Sequence, residues 1–142
     1  MTDTKRILLV DDDEDFRTAV QGLLEAQGFL VACARSGREA LQRIREGRPD
    51  LVVLDVMMEH DFAGYEVTHS LRFSEDPTTT RPVPILMVSS IELDPATRFS
   101  RAVEAPMIQP DVYQTKPLDI PRFLANVGSL LGIAGGRTAA RA

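Results

Sequence analysis

Ile7-Leu8-Leu9-Val10-Asp11-Asp12-Asp13-Glu14-Asp15-Phe16 is the stretch on which the fold turns. Its four successive apolar residues, with Arg6 before them, read as a buried strand over 6–10. The polarity then reverses within one residue. From Phe16 onward the period changes: Phe16, Val20, Leu23 and Leu24 fall at i, i+4, i+7 and i+8, one face of a helix over 14–27. Gly28 follows as its stop. A strand, a knot of acids and an amphipathic helix thus occupy the first 28 residues, and the rest of the chain repeats this alternation.

Residues 29–34 (Phe-Leu-Val-Ala-Cys-Ala) predict a second strand. Ser36 precedes Glu39 by three positions, a capping box that opens a helix with Ala40, Leu41 and Ile44 as its stripe and with Gly47 and Pro49 ending it. Residues 51–55 (Leu-Val-Val-Leu-Asp) are apolar at successive positions until the final acid, as in a strand covered on both faces of a parallel sheet. A helix near 64–74 carries Val67 and Leu71, and the proline- and threonine-rich stretch 75–84 reads as a loop. Residues 83–88 predict a fourth strand with Pro84 at its entrance, where a missing donor is tolerated. A short helix is expected over 95–104 behind Asp94, an irregular stretch over 105–110, and a fifth strand over 111–115. Phe123, Val127, Leu130 and Leu131 mark a last helix over 119–131. The expected fold is α/β: a doubly wound, five-stranded parallel sheet with helices on both faces and right-handed crossovers. Residues 1–131 form the domain, and 132–142, which lack a packing pattern, a flexible tail.

Composition narrows the function. A length of 142 residues fits one domain with one sizeable core, and 44% apolar with 26% charged residues is the balance of a globular chain rather than a disordered one. No 18-residue stretch is both apolar and uncharged, so no membrane span or signal peptide is expected. Cys33, the single cysteine, has no partner for an internal disulfide and no zinc spacing around it, which points to a reducing, cytoplasmic setting. The net charge of −5 disfavours non-specific nucleic-acid binding. The arginines between Arg35 and Arg48 are interleaved with Glu39 and Glu46 and without aromatics, the mark of a solvated helix face.

In open α/β sheets, sites form beyond the carboxyl ends of the strands. After the first strand stand Asp11 and Asp12, after the third Asp55, after the fourth Ser89 and Ser90, and after the fifth Lys116 and Pro117. Two carboxylates about 4 Å apart repel by roughly 4 kcal/mol at an effective dielectric near 20. Three need a cation. Lys116 supplies one charge, and an all-oxygen set without His or Cys suits Mg²⁺ or Mn²⁺ for the rest. A carboxylate beside a divalent ion, an ammonium and a hydroxyl is equipped to accept a phosphoryl group. Each piece has a plainer reading in isolation. Asp13, Glu14 and Asp15 suit the positive end of a helix, an Asp closing a strand suits a turn, and His60 suits a loop. The joint occurrence at successive strand ends carries the functional reading.

These residues resemble the receiver domain of bacterial two-component response regulators, over roughly 5–131. The motifs are Val10-Asp11-Asp12, Leu54-Asp55, Val88-Ser89-Ser90 and Tyr113-Gln114-Thr115-Lys116-Pro117. The resemblance implies a flavodoxin-like strand order 2-1-3-4-5. It implies Asp55 as phosphoacceptor and Mg²⁺ held by Asp12 and Asp55 directly, by Asp11 through water and by the backbone carbonyl of Met57. Ser89 is implied as the hydroxyl that follows the phosphoryl group, Tyr113 as its aromatic switch partner, and Lys116 as the cation on the phosphoryl oxygens, with a cis bond before Pro117. The implied partners are a sensor histidine kinase or phosphotransfer protein and a downstream protein, with no nucleic acid and no membrane. The length leads us to expect a stand-alone receiver, not an enzyme beyond its own phosphorylation and dephosphorylation. Two alternatives stay open: a pseudo-receiver that binds without being phosphorylated, and an aspartate-nucleophile phosphatase using Asp11 and Asp13.

The chain departs from the family pattern in two places. The loop from Asp55 to Gly64 lacks the usual proline and is one residue longer, and the stretch from Ser89 to Lys116 is several residues longer. The resemblance also makes Met57 and Ile91 the residues flanking the route of the hydrolytic water. Both are apolar, so slow loss of the phosphoryl group is expected.

Overall fold

A computed structural model of the chain describes residues 4–56, 58, 63–74, 82–90 and 110–133. Five strands, β1 (Arg6–Val10), β2 (Leu30–Ala34), β3 (Leu51–Leu54), β4 (Ile85–Ser89) and β5 (Val112–Thr115), form one parallel sheet in the order 2-1-3-4-5. The described helices are α1 (Glu14–Ala26), α2 (Gly37–Glu46), α3 (Ala63–Ser74) and α4 (Ile120–Leu130). The fold class and strand order match expectation. The short helix expected over 95–104, the irregular stretch up to 109, and residues 57, 60 and 91 lie outside the described residues.

The unbroken apolar runs are what bury the sheet from both sides. Along β1, Leu8 and Val10 face a cluster built with α2 and α3, which includes Ala40, Tyr65, Val67 and Leu71. Ile7 and Leu9 face the opposite cluster, built with α1 and α4, which includes Val20, Leu24, Phe123 and Val127. Residues of β3 divide in the same way, Val52 and Leu54 against Leu51 and Val53. Successive strand side chains point to opposite faces, so a strand apolar at every position must be covered twice.

The element boundaries follow local chemistry. Asp13 caps α1, its side chain accepting from the Asp15 and Phe16 N–H groups, and Gly28 takes a left-handed φ of 95° after it. Ser36 caps α2 by accepting from Glu39 N–H at 3.0 Å, and the Glu39 carboxylate reaches back to the Arg35 N–H at 2.9 Å. The fourth strand begins at Ile85 rather than 83 and extends one residue further than expected, to Ser89. The cause is parallel register: Ser89 pairs with Thr115, while the carbonyl of Pro84 still accepts from Val52 N–H. Beyond α4 the chain stays packed for three more residues, two past the expected domain end at 131. Gly132 turns with φ 75°, Ile133 N–H donates to the Gly128 carbonyl, and Ile133 rests against the α1/α4 cluster. Residues 134–142 lie outside the described residues. Among the described residues no helix is long and apolar enough to cross a membrane.

Candidate functional site

The sheet ladder itself carries the acids into position. Asp11 continues β1 past its last residue, its N–H donating to the Ala34 carbonyl at 3.1 Å, and Asp55 does the same after β3, donating to Val10 at 2.9 Å. Lys116 extends β5 likewise, its N–H donating to the Ser89 carbonyl at 2.9 Å. Residues remote in sequence become neighbours because their strands are neighbours.

Asp11, Asp12 and Asp55 each offer a carboxylate oxygen within 4.8 Å of the others. Asp11 and Asp55 are buried, 1% and 7% exposed, whereas Asp12 is open to solvent. Lys116 Nζ lies 2.8 Å from Asp11 Oδ2 and 3.7 Å from Asp55 Oδ2. Burial works against the lysine's charge. The hydrogen bond to Asp11 and the fields of Asp55, Asp11 and Asp13 outweigh it and hold the ammonium above the ordinary lysine pKa. The other Asp11 oxygen accepts from Asp13 N–H at 2.9 Å, and its carbonyl accepts from Arg17 Nη1 at 2.8 Å. Ser89 is fully buried at the end of β4, in the strand next to Lys116's own. The bond between Lys116 and Pro117 is cis.

Three carboxylates against one ammonium leave an excess of negative charge in a partly buried place. The donors are hard oxygens with no thiolate or imidazole among them, and one carboxylate faces solvent. That donor set fits a small hard divalent cation that keeps water ligands.

The geometry gathers Asp11, Asp12, Asp55 and Lys116 as the sequence leads one to expect, with Ser89 on the adjoining strand. Tyr113 lies in β5, paired with Met87 and half-buried against the α2/α3 cluster. Met57, assigned a carbonyl ligand by resemblance, lies outside the described residues, as does His60. Asp13 stands at the positive end of α1, as its plainer reading has it, and there caps the helix. Three neighbours of the site carried no sequence signal as such. Phe16 reads only as part of a helix stripe, yet Lys116 Nζ sits 4.1 Å from its ring centroid. Arg17 belongs to no motif, yet its Nη1 donates to the Asp11 carbonyl. Gly64 reads as a loop end, yet its N–H donates to the Val56 carbonyl at 2.7 Å and packs α3 against the backbone of Asp55.

Comparison with known proteins places this geometry. The profile of the response regulator receiver domain matches residues 7–127. The polar-differentiation response regulator DivK of Brucella ovis is 32% identical over 131 residues, covering 92% of this chain and 99% of that protein. In fold, the chain is similar to a CheY-like response regulator receiver domain protein of Methanospirillum hungatei, with TM-score 0.76 at 24% identity over 92% of this chain and 95% of that one. It is also similar to the receiver domain of the sensor histidine kinase PA1611 of Pseudomonas aeruginosa, solved with a magnesium ion coordinated in its active site cleft. There the TM-score is 0.74 at 21% identity, over 92% and 99% of the two chains. Sheet order, acidic cluster and sequence match agree, and the chain belongs to the response regulator receiver domain family.

Proposed function

We propose that this receiver is a phosphorylation-driven switch in two-component signalling, with Asp55 as the phosphoacceptor. The observation that carries the reading is the placement of one ammonium, Lys116 Nζ, between Asp11 and Asp55 within a cluster of three carboxylates. An Asp55 oxygen attacks the phosphorus of a phosphohistidine on a sensor kinase or phosphotransfer protein. The new O–P bond forms as the N–P bond breaks, and the imidazole leaves with the electron pair. Lys116 then has phosphoryl oxygens to neutralise, and the Ser89 hydroxyl is the neighbouring donor that follows them. Asp12 and Asp55 directly, Asp11 through water and the Met57 carbonyl are the groups that would hold Mg²⁺, whose charge would stabilise the transferring group. Ser89 and Tyr113 then relay the altered charge to the surface, where a second protein is recognised.

Incubation of the chain with acetyl phosphate and Mg²⁺, followed by intact-mass and peptide mass spectrometry, tests this. One phosphoryl group on Asp55, absent from Asp55→Asn, is the expected result. Continuous release of free phosphate would favour a phosphatase, and absence of any reaction a non-phosphorylated binding module. Either would overturn the proposal. Apolar Met57 and Ile91 support a long-lived phosphoryl state, because neither orients a water. Met57→Asn with Ile91→Glu is expected to speed decay of the labelled protein, and an unchanged decay rate would sink that part of the reading.

A further inference from the structure

Phe16 stands in the first turn of α1, and the ammonium of Lys116 lies over its ring, 4.1 Å from the centroid. Among the described residues, that ammonium has three close contacts: Asp11 Oδ2 at 2.8 Å, Asp55 Oδ2 at 3.7 Å and the ring. Two are anions. The third is a neutral quadrupole whose face attracts a cation without presenting a lone pair. The acids themselves set the ring's place. Asp11 Oδ1 accepts from Asp13 N–H at 2.9 Å, and Asp13 Oδ1 accepts from Phe16 N–H at 3.2 Å. A closed circuit thus runs from Asp11 through Asp13, Phe16 and Lys116 back to Asp11. The ring is half-buried and packs against the α1/α4 core cluster, which limits its swing.

We propose that Phe16 is a positioning residue for phosphoryl transfer to Asp55. Its ring face holds the Lys116 ammonium beside the acceptor oxygen while the ammonium exchanges Asp11 for the incoming phosphoryl oxygens. The proposal rests on the reading of Asp55 as phosphoacceptor. With acetyl phosphate as donor, an Asp55 oxygen bonds to phosphorus, the bond from phosphorus to the acetyl oxygen breaks, and acetate leaves with the electron pair. Negative charge arrives next to Asp55, while Lys116 starts nearer to Asp11. A lysine ammonium rides on a flexible four-carbon stem, and confining it before the reaction removes an ordering cost from the step itself. An aromatic face suits that task better than a polar partner. A further carboxylate would hold the ammonium back and repel the phosphoryl group. A hydroxyl or amide oxygen would occupy an N–H that the phosphoryl oxygens need. The ring attracts the charge and competes for neither.

Phe16→Leu keeps an apolar side chain against the core and removes the ring, whereas Phe16→Tyr restores it. In ¹H–¹³C spectra of the unlabelled-donor protein, the Lys116 ε-methylene protons should be displaced upfield by the ring current in the wild type and in Phe16→Tyr. They should return to the ordinary lysine position in Phe16→Leu. The rate of labelling by acetyl phosphate should fall about three- to tenfold in Phe16→Leu, the range of a partly desolvated cation–ring contact. Phe16→Tyr should restore it, at an unchanged thermal midpoint across the three proteins. An ordinary Lys116 methylene position in the wild type overturns the proposal. So does a Leu variant that labels as fast as the wild type, or a Tyr variant as slow as Leu. A wild-type chain that takes no label at Asp55 removes the phosphoacceptor reading and this inference with it. A wild type that labels, beside a Leu variant of equal rate, removes this inference alone.

Discussion

Gly64 marks how tightly Asp55 is held. A Cβ at this position would lie 2.6 Å from Val56 Cα and closer still to the carbonyl oxygen of Asp55. Those are backbone atoms, and they cannot swing aside as a side-chain tip can. The approach brings the N-terminus of α3 directly against the peptide that follows Asp55, and Thr68 Oγ1 donates to the Gly64 carbonyl at 3.0 Å from within the helix. Gly64→Ala is therefore expected to lower stability by about 1–3 kcal/mol, the cost of forcing an extra methyl into a filled site. Urea denaturation measures the loss. If Asp55 takes the phosphoryl group as proposed, its labelling should slow in the same variant, because the carbonyl of Asp55 itself must shift.

At the scale of elements, α2 depends on its two ends more than on length. It is ten residues long, too short to persist alone in water, so capping and packing must hold it. Ser36→Ala removes the acceptor for Glu39 N–H and is expected to cost about 1 kcal/mol in the same denaturation experiment. The Arg35 N–H bonded to the Glu39 carboxylate, helped by Arg43 four positions on, holds that carboxyl below its ordinary pKa against the smaller opposing effect of burial. A lowered folded-state pKa stabilises the fold above the unfolded value, and that stability disappears as pH falls through the folded value. Glu39→Gln should therefore be less stable than wild type at pH 7 by about 0.5 kcal/mol, a modest figure because the group is partly exposed and screened. The difference should vanish on acidification below the Glu39 pKa. A gap that persists there would assign the effect to shape rather than charge. At the opposite end of the sheet, Arg72 of α3 binds the Val83 carbonyl at 2.7 Å and Asp111 at 2.9 Å. Asp111 also accepts from Ile85 N–H at 2.7 Å. That tie anchors β4 and β5 at their N-terminal ends, away from the acids at their C-terminal ends.

At the scale of the whole molecule, the site is a liability that a bound cation would relieve. Asp11 and Asp55 are buried anions beside a single ammonium. An ion that binds the folded cluster and not the unfolded chain stabilises the fold by mass action, by about 2.7 kcal/mol when present at a hundred times its dissociation constant. Mg²⁺ is thus expected to raise the thermal midpoint in a saturable manner, and chelation to reverse it. Asp12→Ala should abolish the response without lowering stability in the absence of metal, since Asp12 is the exposed member. A midpoint indifferent to Mg²⁺ would remove the metal from the account without touching the fold.

Much of this architecture was legible because it rests on local patterns. Hydrophobic period separates strands from helices, Ser36 with Glu39 marks a cap, and acids at strand ends mark a candidate site, since in a parallel sheet all strands end at one rim. Even the partition of Ile7 and Leu9 from Leu8 and Val10 follows from alternation alone. The exact start of β4 was not legible, because register with β5 and β3 overrode the apolar run that begins at Val83. Nor were the neighbours of Lys116. Phe16 is separated from it by about a hundred positions of chain. Nothing in a helix stripe says which of its residues will meet a charge. Local pattern is enough to place Asp11, Asp12, Asp55, Ser89 and Lys116 at the carboxyl ends of their strands. Which of those groups touch depends on the assembled sheet, because the contacts of Lys116 with Asp11, Asp55 and Phe16 bring together residues that follow β5, β1 and β3 or lie in α1, a non-local arrangement that no short pattern encodes.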